Sequence, residues 1–315
     1  MKSHWVAGAA FFLLQLPLWS QSASNPIQVG LLRWYIANQV TSFSSCAGTS
    51  GYGLAFDGEH MWVACSAQNE LQEFESSDGT LVRTVTGVTT PYALVYDGVY
   101  VWASDNATSG KVTKVNASSG SVAGTFTVGS EPAALTYDGT YVWSANTGGN
   151  SVSKILASTG AVTSYSLTSC TSPKGIVFDG TNIWVSCSGG TTVQEISTAG
   201  SLLNTVTVGT TPEGMTFDGT YVWVANNGSG TVTRITDSTR AVKTITVQTS
   251  PTAVAFDTKW VWVTNFGSNT VSKITASSGG VVGHYTTGTG PMFVAFDGGN
   301  IWVSNNGTGS TVMKF

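Results

Sequence analysis

Histidine is the scarcest reactive side chain in this 315-residue protein, with His4, His60 and His284 as its three copies. Acid–base and metal chemistry near neutral pH commonly sets histidine beside a carboxylate. Here His60 lies beside a hairpin turn, and His284 falls in an edge segment far from it in sequence. No H-E-x-x-H, G-x-S-x-G, P-loop or G-x-G-x-x-G pattern is present, so the sequence assigns no catalytic residue, no cofactor and no metal site. Seven of the 17 acidic residues recur in one place: Asp57, Asp97, Asp138, Asp179, Asp218, Asp257 and Asp297. A ring of metal ligands is one reading of that set. The other is turn chemistry, in which each carboxylate accepts local backbone N–H bonds and the following residue, usually glycine, adopts positive φ. Turns on separate units stand too far apart to share one ion, so turn chemistry is expected.

The elements that carry these aspartates are repeats. Trp62, Trp102, Trp143, Trp184, Trp223, Trp262 and Trp302 follow one another at intervals of 40, 41, 41, 39, 39 and 40 residues. Each belongs to a copy of a phrase such as Phe217-Asp218-Gly219-Thr220-Tyr221-Val222-Trp223-Val224. One period predicts four strands: Glu213 to Asp218, Tyr221 to Asn226, Thr231 to Thr236 and Ala241 to Val247, separated by turn residues. Four antiparallel strands per repeat of about 40 residues is the sequence form of a propeller blade. The expected fold is therefore all-β, a seven-bladed propeller of four-stranded antiparallel blades. The last repeat stops in its third strand, and residues 39 to 44 match outer strands such as Ala161 to Ser166, so an N-terminal strand should complete the last blade. The alternation of each tryptophan with valines points its indole at the neighbouring blade.

Repeat alignment also bears on the four cysteines, which spacing alone could join in three ways. Cys46 and Cys170 precede a first strand in blades one and four, while Cys65 and Cys187 end the second strand of the same blades. The expected disulfides are Cys46 to Cys65 and Cys170 to Cys187. A zinc site would call for clustered C-x-x-C spacing, which is missing. Glu73 and Glu195 occupy, in these two blades, the position of Lys114, Lys154, Arg234 and Lys273 in others, and mark a variant blade type.

In such a ring the between-blade connections and the ends of the second strands share the face around the channel, where a concave mouth favours ligands. The residue after each blade-opening Pro or Gly varies freely: Tyr52, Tyr92, Ala133, Lys174, Glu213, Thr252 and Met292. Beside it fall Asp105, Asn146, Asn226, Asn265 and Asn305, with cysteine in the two variant blades. Candidate ligand-binding residues are Tyr52, Tyr92, Asp105, Glu131, Asn146, Lys174, Glu213, Asn226, Asn265, Met292 and Asn305. They suit a polar small molecule, a glycan or a protein segment.

Composition narrows the partners. Only 10% of residues are charged and the net charge is −4, which lacks the basic footprint of a nucleic-acid surface. Residues 1–24 read as a signal peptide: Lys2, an apolar stretch from Trp5 to Trp19, then small residues from Ser20 to Ser24. That stretch is shorter than the ~20 apolar residues of a membrane span and is interrupted by Gln15 and Pro17. Residues 25–315 are then one propeller domain, secreted or periplasmic, with no membrane span after cleavage.

The phrase Trp262-Val263-Thr264-Asn265-Phe266-Gly267-Ser268-Asn269-Thr270-Val271, followed by Gly290-Pro291, resembles the YVTN-type β-propeller repeat over nearly all of residues 39 to 315. The resemblance implies a surface, periplasmic or binding protein. A more distant similarity is to streptogramin lyase, a seven-bladed propeller that uses histidine and a divalent metal, and this chain shows no matching histidines. Quinoprotein-like propellers are a third relative whose cofactor motifs are missing. The expected function is a binding module acting through the channel mouth, with a metal-dependent lyase or hydrolase as the alternative.

Overall fold

The computed structural model describes residues 41–48, 51–307 and 309–315. The expected leader, residues 1–24, lies outside them. Among the described residues the strands form seven four-stranded antiparallel sheets, and no helix is long and apolar enough to cross a membrane. Blades 1 to 7 open with Gly51–Phe56, Pro91–Tyr96, Pro132–Tyr137, Pro173–Phe178, Pro212–Phe217, Pro251–Phe256 and Pro291–Phe296. Blade 5 continues through Tyr221–Asn226, Thr231–Thr236 and Val242–Thr246, each boundary within a residue of the sequence expectation.

Blade 7 is built from both ends of the described chain. Its third strand, Thr311–Lys314, pairs with Thr41–Ser44, and Phe43 lies opposite Val312. Residues 39 and 40 of the expected closing strand fall outside the described residues. Phe43 stacks on Trp302 with ring centroids 5.8 Å apart. Ser304 donates its hydroxyl to the carbonyl of Tyr52 at 2.7 Å, tying blade 7 to blade 1. Closure leaves no free end on which another sheet could stack.

The hairpin aspartates do the turn work expected of them and one thing more. Asp218 accepts the backbone N–H groups of Thr220 and Tyr221 through Oδ1, at 2.9 and 2.7 Å. Its Oδ2 accepts the indole N–H of Trp223 at 2.7 Å. The same indole–carboxylate bond, at 2.7 Å, recurs in the other six blades. The aspartate thus supplies the partner a buried indole N–H requires. Each indole packs into the next blade, Trp62 against Leu94 and Val101 and Trp302 against Leu54 and Met61. Six of the seven indole residues are fully buried and Trp262 is 7% exposed.

A second set of ties runs between blades. The cation cross-strand from the tryptophan reaches the next blade: Lys114 donates to the carbonyl of Ala157, Lys154 to that of Thr198 and Lys314 to that of Ser76, each at 2.7 Å. Arg234 does the same with Ala276 at 3.0 Å. These side chains also lie over aromatic faces, Lys114 3.8 Å from the ring centre of Tyr100.

Candidate functional site

The free position after each blade opening comes to one end of the channel. A cavity of about 170 Å³ there is lined by Tyr92, Ala133, Lys174, Glu213, Thr252 and Met292. Tyr52 stands beside it, its ring centroid 4.7 Å from that of Tyr92. The small residues that follow let the inner strands crowd together: a Cβ on Gly53 would lie 2.5 Å from the carbonyl oxygen of Tyr92, and one on Gly214 2.6 Å from that of Thr252. Blade 7 breaks this rule with Phe293, whose ring meets Tyr92 edge-on at 5.5 Å. Deeper in, Leu94, Leu135, Ile176, Met215, Val254 and Val294 make an apolar floor.

The mouth is therefore two-sided. Blades 7, 1 and 2 present the aromatic wall of Phe293, Tyr52 and Tyr92. Blades 4 and 5 present an ion pair, in which Lys174 Nζ donates to Glu213 Oε1 at 2.7 Å. Burial, reinforced by the negative charge of Glu213, pushes the Tyr92 phenol well above its usual range, so it stays a neutral hydroxyl. The backbone of Glu213 is pinned by the Ser186 hydroxyl, which donates to its carbonyl at 2.7 Å. Thr252 is committed to the scaffold, donating to the carbonyl of Met292 at 3.1 Å.

The second set of candidates sits elsewhere. Asn146, Asn226, Asn265 and Asn305 are buried at the ends of the second strands and bind the start of the third strand of their own blade. Asn226 Nδ2 donates to the hydroxyls of Thr231 and Thr233 at 3.0 and 2.9 Å. Asn146 does so to Ser151 and Ser153 at 3.1 and 3.0 Å. Asp105 accepts the hydroxyls of Thr89, at 2.5 Å, and Thr90. None of these five lines the cavity. Glu131 holds the connection between blades 2 and 3, its N–H donating to Ala107 and its carbonyl accepting from Thr147, both at 2.9 Å. In blades 1 and 4 the disulfides Cys46 to Cys65 and Cys170 to Cys187 replace the amide latch, with Cα atoms 5.0 and 4.9 Å apart.

Sequence reasoning located Glu73 and Glu195 in the variant blades without finding their partners. Both are fully buried. Glu73 meets His60 Nδ1 at 3.1 Å and Arg83 Nε at 2.5 Å, and burial holds its carboxyl above the usual value despite Arg83. Glu195 receives Arg240 from the next blade through two bonds of 2.7 and 2.6 Å, with Asn182 and Asn204 completing its shell at 2.8 Å. Glu195 keeps the inter-blade tie with its polarity reversed, whereas Glu73 holds Arg83 of its own blade, whose guanidinium donates to the carbonyl of Ser118 in blade 2 at 2.9 Å. The pairing of Glu73 with Arg83 follows from strand register, since the two are cross-strand neighbours.

Among the described residues, two groups have metal-ligating side chains close together, Asp57 with His60 and Glu73, and Asp179 with Glu195 and Asp237. Both lie around hairpin turns and both already contain an arginine-neutralised glutamate. The divalent metal of the streptogramin lyase type does not fit the mouth. Its one cavity-lining carboxylate, Glu213, is taken by Lys174, Asp105 is saturated by hydroxyls, and neither described histidine reaches it.

No protein-family model matches the chain, and no curated protein sequence matches it. Solved structures do. A streptogramin B lyase structure superimposes with a TM-score of 0.77 at 19% identity, covering 88% of this chain and 97% of that one. Virginiamycin B lyase from Staphylococcus aureus, in a catalytically inactive form with quinupristin, gives 0.75 at 19% identity over 88% and 98%. Kuenenia stuttgartiensis hydrazine synthase gives 0.75 at 17% identity over 84% and 95%. At these identities the likeness establishes the propeller fold. The YVTN likeness rests on the repeat residues alone.

Proposed function

We propose that this protein is a secreted or periplasmic binding module whose ligand seats at the channel mouth, among Tyr52, Tyr92, Lys174 and Glu213. The observation that carries this reading is the meeting of an aromatic wall and a partly exposed ion pair on one cavity, at the positions that the blade architecture leaves free. Convergent polar groups above an apolar floor are the usual makeup of a small-molecule site. The two disulfides suit an oxidising compartment.

The test is a thermal-shift panel of small molecules, glycans and peptides on the full protein. At least one probe is expected to raise Tm and to lose its effect when Lys174 and Glu213 are replaced together. Binding that survives every mouth substitution refutes the assignment. The second reading, a metal-dependent lyase or hydrolase, has the fold likeness to streptogramin lyases in its favour and the donor set of the mouth against it. Metal-dependent turnover lost on Glu213→Gln would support it.

A further inference from the structure

The reading of the mouth as a binding site can be taken further, to the chemistry of the ligand. The Lys174–Glu213 pair is only half used. An ammonium carries three N–H donors, and one of them serves Glu213 Oε1. The side chains of Lys174 and Glu213 remain 33% and 10% exposed, so the pair presents both signs of charge to the cavity edge. A ligand with a single net charge would meet one partner and oppose the other, above an apolar floor where uncompensated charge is costly. A zwitterion, laid head to tail against the pair, satisfies both.

The space beside the pair specifies the rest of the molecule. A cavity of about 170 Å³ compares with the apolar cavity of about 150 Å³ that accepts a benzene ring. Its walls are the rings of Tyr92 and Phe293, and its floor includes Leu94, Leu135 and Ile176. The inner strands of blades 4 and 5 are held close, because Gly175 has no Cβ to strike the backbone of Glu213, and the pair is thereby positioned before any ligand arrives.

We propose that the channel mouth binds a free amino acid with an apolar or aryl side chain. Its carboxylate lies on Lys174, its ammonium on Glu213, and its side chain in the cavity against Tyr92 and Phe293. This rests on the mouth being the binding site. The probes are L-phenylalanine, phenylacetate, which lacks the ammonium, phenethylamine, which lacks the carboxylate, and glycine, which lacks the side chain. Isothermal titration of the unmodified protein is expected to show L-phenylalanine binding at least tenfold more tightly than each of the other three. Glu213→Gln should cost L-phenylalanine tenfold while leaving phenylacetate within about twofold, and Lys174→Met should cost it tenfold while leaving phenethylamine within about twofold. Far-UV circular dichroism checks that both variants fold, and the probe series on the unmodified protein stands without them. A half-ligand that binds as tightly as the amino acid overturns the proposal. So does the absence of amino-acid binding alongside a glycan or peptide that binds and is sensitive to Lys174→Met, a result that leaves the binding site itself in place. If no probe of any class responds to a mouth substitution, both readings fail.

Discussion

The two ends of the blades follow opposite rules. At the hairpin end the same aspartate binds the same indole at 2.7 Å in every blade. At the mouth end, the corresponding inner position carries six residue types over seven blades: Tyr, Ala, Lys, Glu, Thr and Met. Uniformity marks a position that every blade needs for packing. Variation, where it gathers into an aromatic side and a charged side, marks a position released from that need.

The sharpest way to break this contrast is at the seam. Deleting the chain through Ser44, which keeps Cys46 and its disulfide, removes the strand that closes blade 7. Calorimetry should show Tm falling by on the order of 10 °C or more, since an unpaired strand edge and an uncovered Trp302 result. An unchanged transition would mean that the ring does not depend on its closure. Next in size, Trp223→Ala at the uniform end should cost about 3–5 kcal/mol in denaturant unfolding. The double change Lys174→Met with Glu213→Leu, at the variable end, should stay within about 1 kcal/mol, because apolar replacement of a partly buried pair is often neutral. Equal losses at the two ends would erase the distinction.

The disulfides test an exception, since they reinforce the mouth end in two blades only. Replacing both cysteines of either pair by alanine should cost roughly 3 kcal/mol, the scale for loops of this size. The smallest effect concerns Glu73. Its carboxyl titrates above the usual value in the fold, so over that window the folded state holds more proton than the unfolded one. Stability from this group is then greatest below the ordinary carboxylate value and declines as pH rises through the raised one. Glu73→Gln should abolish that decline, and the Tm difference between variant and parent should move in the variant's favour from pH 4 to 7. A difference that stays flat with pH removes the effect.

The parts that repetition encodes were legible in the sequence, because a seven-fold alignment separates what each blade requires from what it does not. Strand boundaries, the closing strand and the pairing of Cys46 with Cys65 and of Cys170 with Cys187 all came from that alignment. The mouth was legible as a set of positions but not as a set of contacts. Lys174 and Glu213 are 39 residues apart, and their bond depends on the rotation between neighbouring blades, which alignment does not supply. Asn146, Asn226, Asn265 and Asn305 were read beside the opening because their strands end there. The hydroxyls at the start of each third strand hold their amides within the blade instead. The indole–aspartate bond also escaped notice, although its five-residue spacing across a tight hairpin is constant.

The seam also has a consequence in time. Phe43 meets Val312 only after almost the whole described chain has been laid down, so the last blade must be assembled from segments with the greatest possible separation. Closing so long a loop is entropically unfavourable, and topologies dominated by distant pairings fold slowly. Six blades can form from contiguous sequence, each as its own strands become available. The seventh has to wait, and until it forms, the inner strands of blades 1 and 6 each lack a neighbour. Refolding is therefore expected to end in a slow ring-closing phase, in which the channel mouth takes shape last, since Met292 and Phe293 belong to the blade that is finished last.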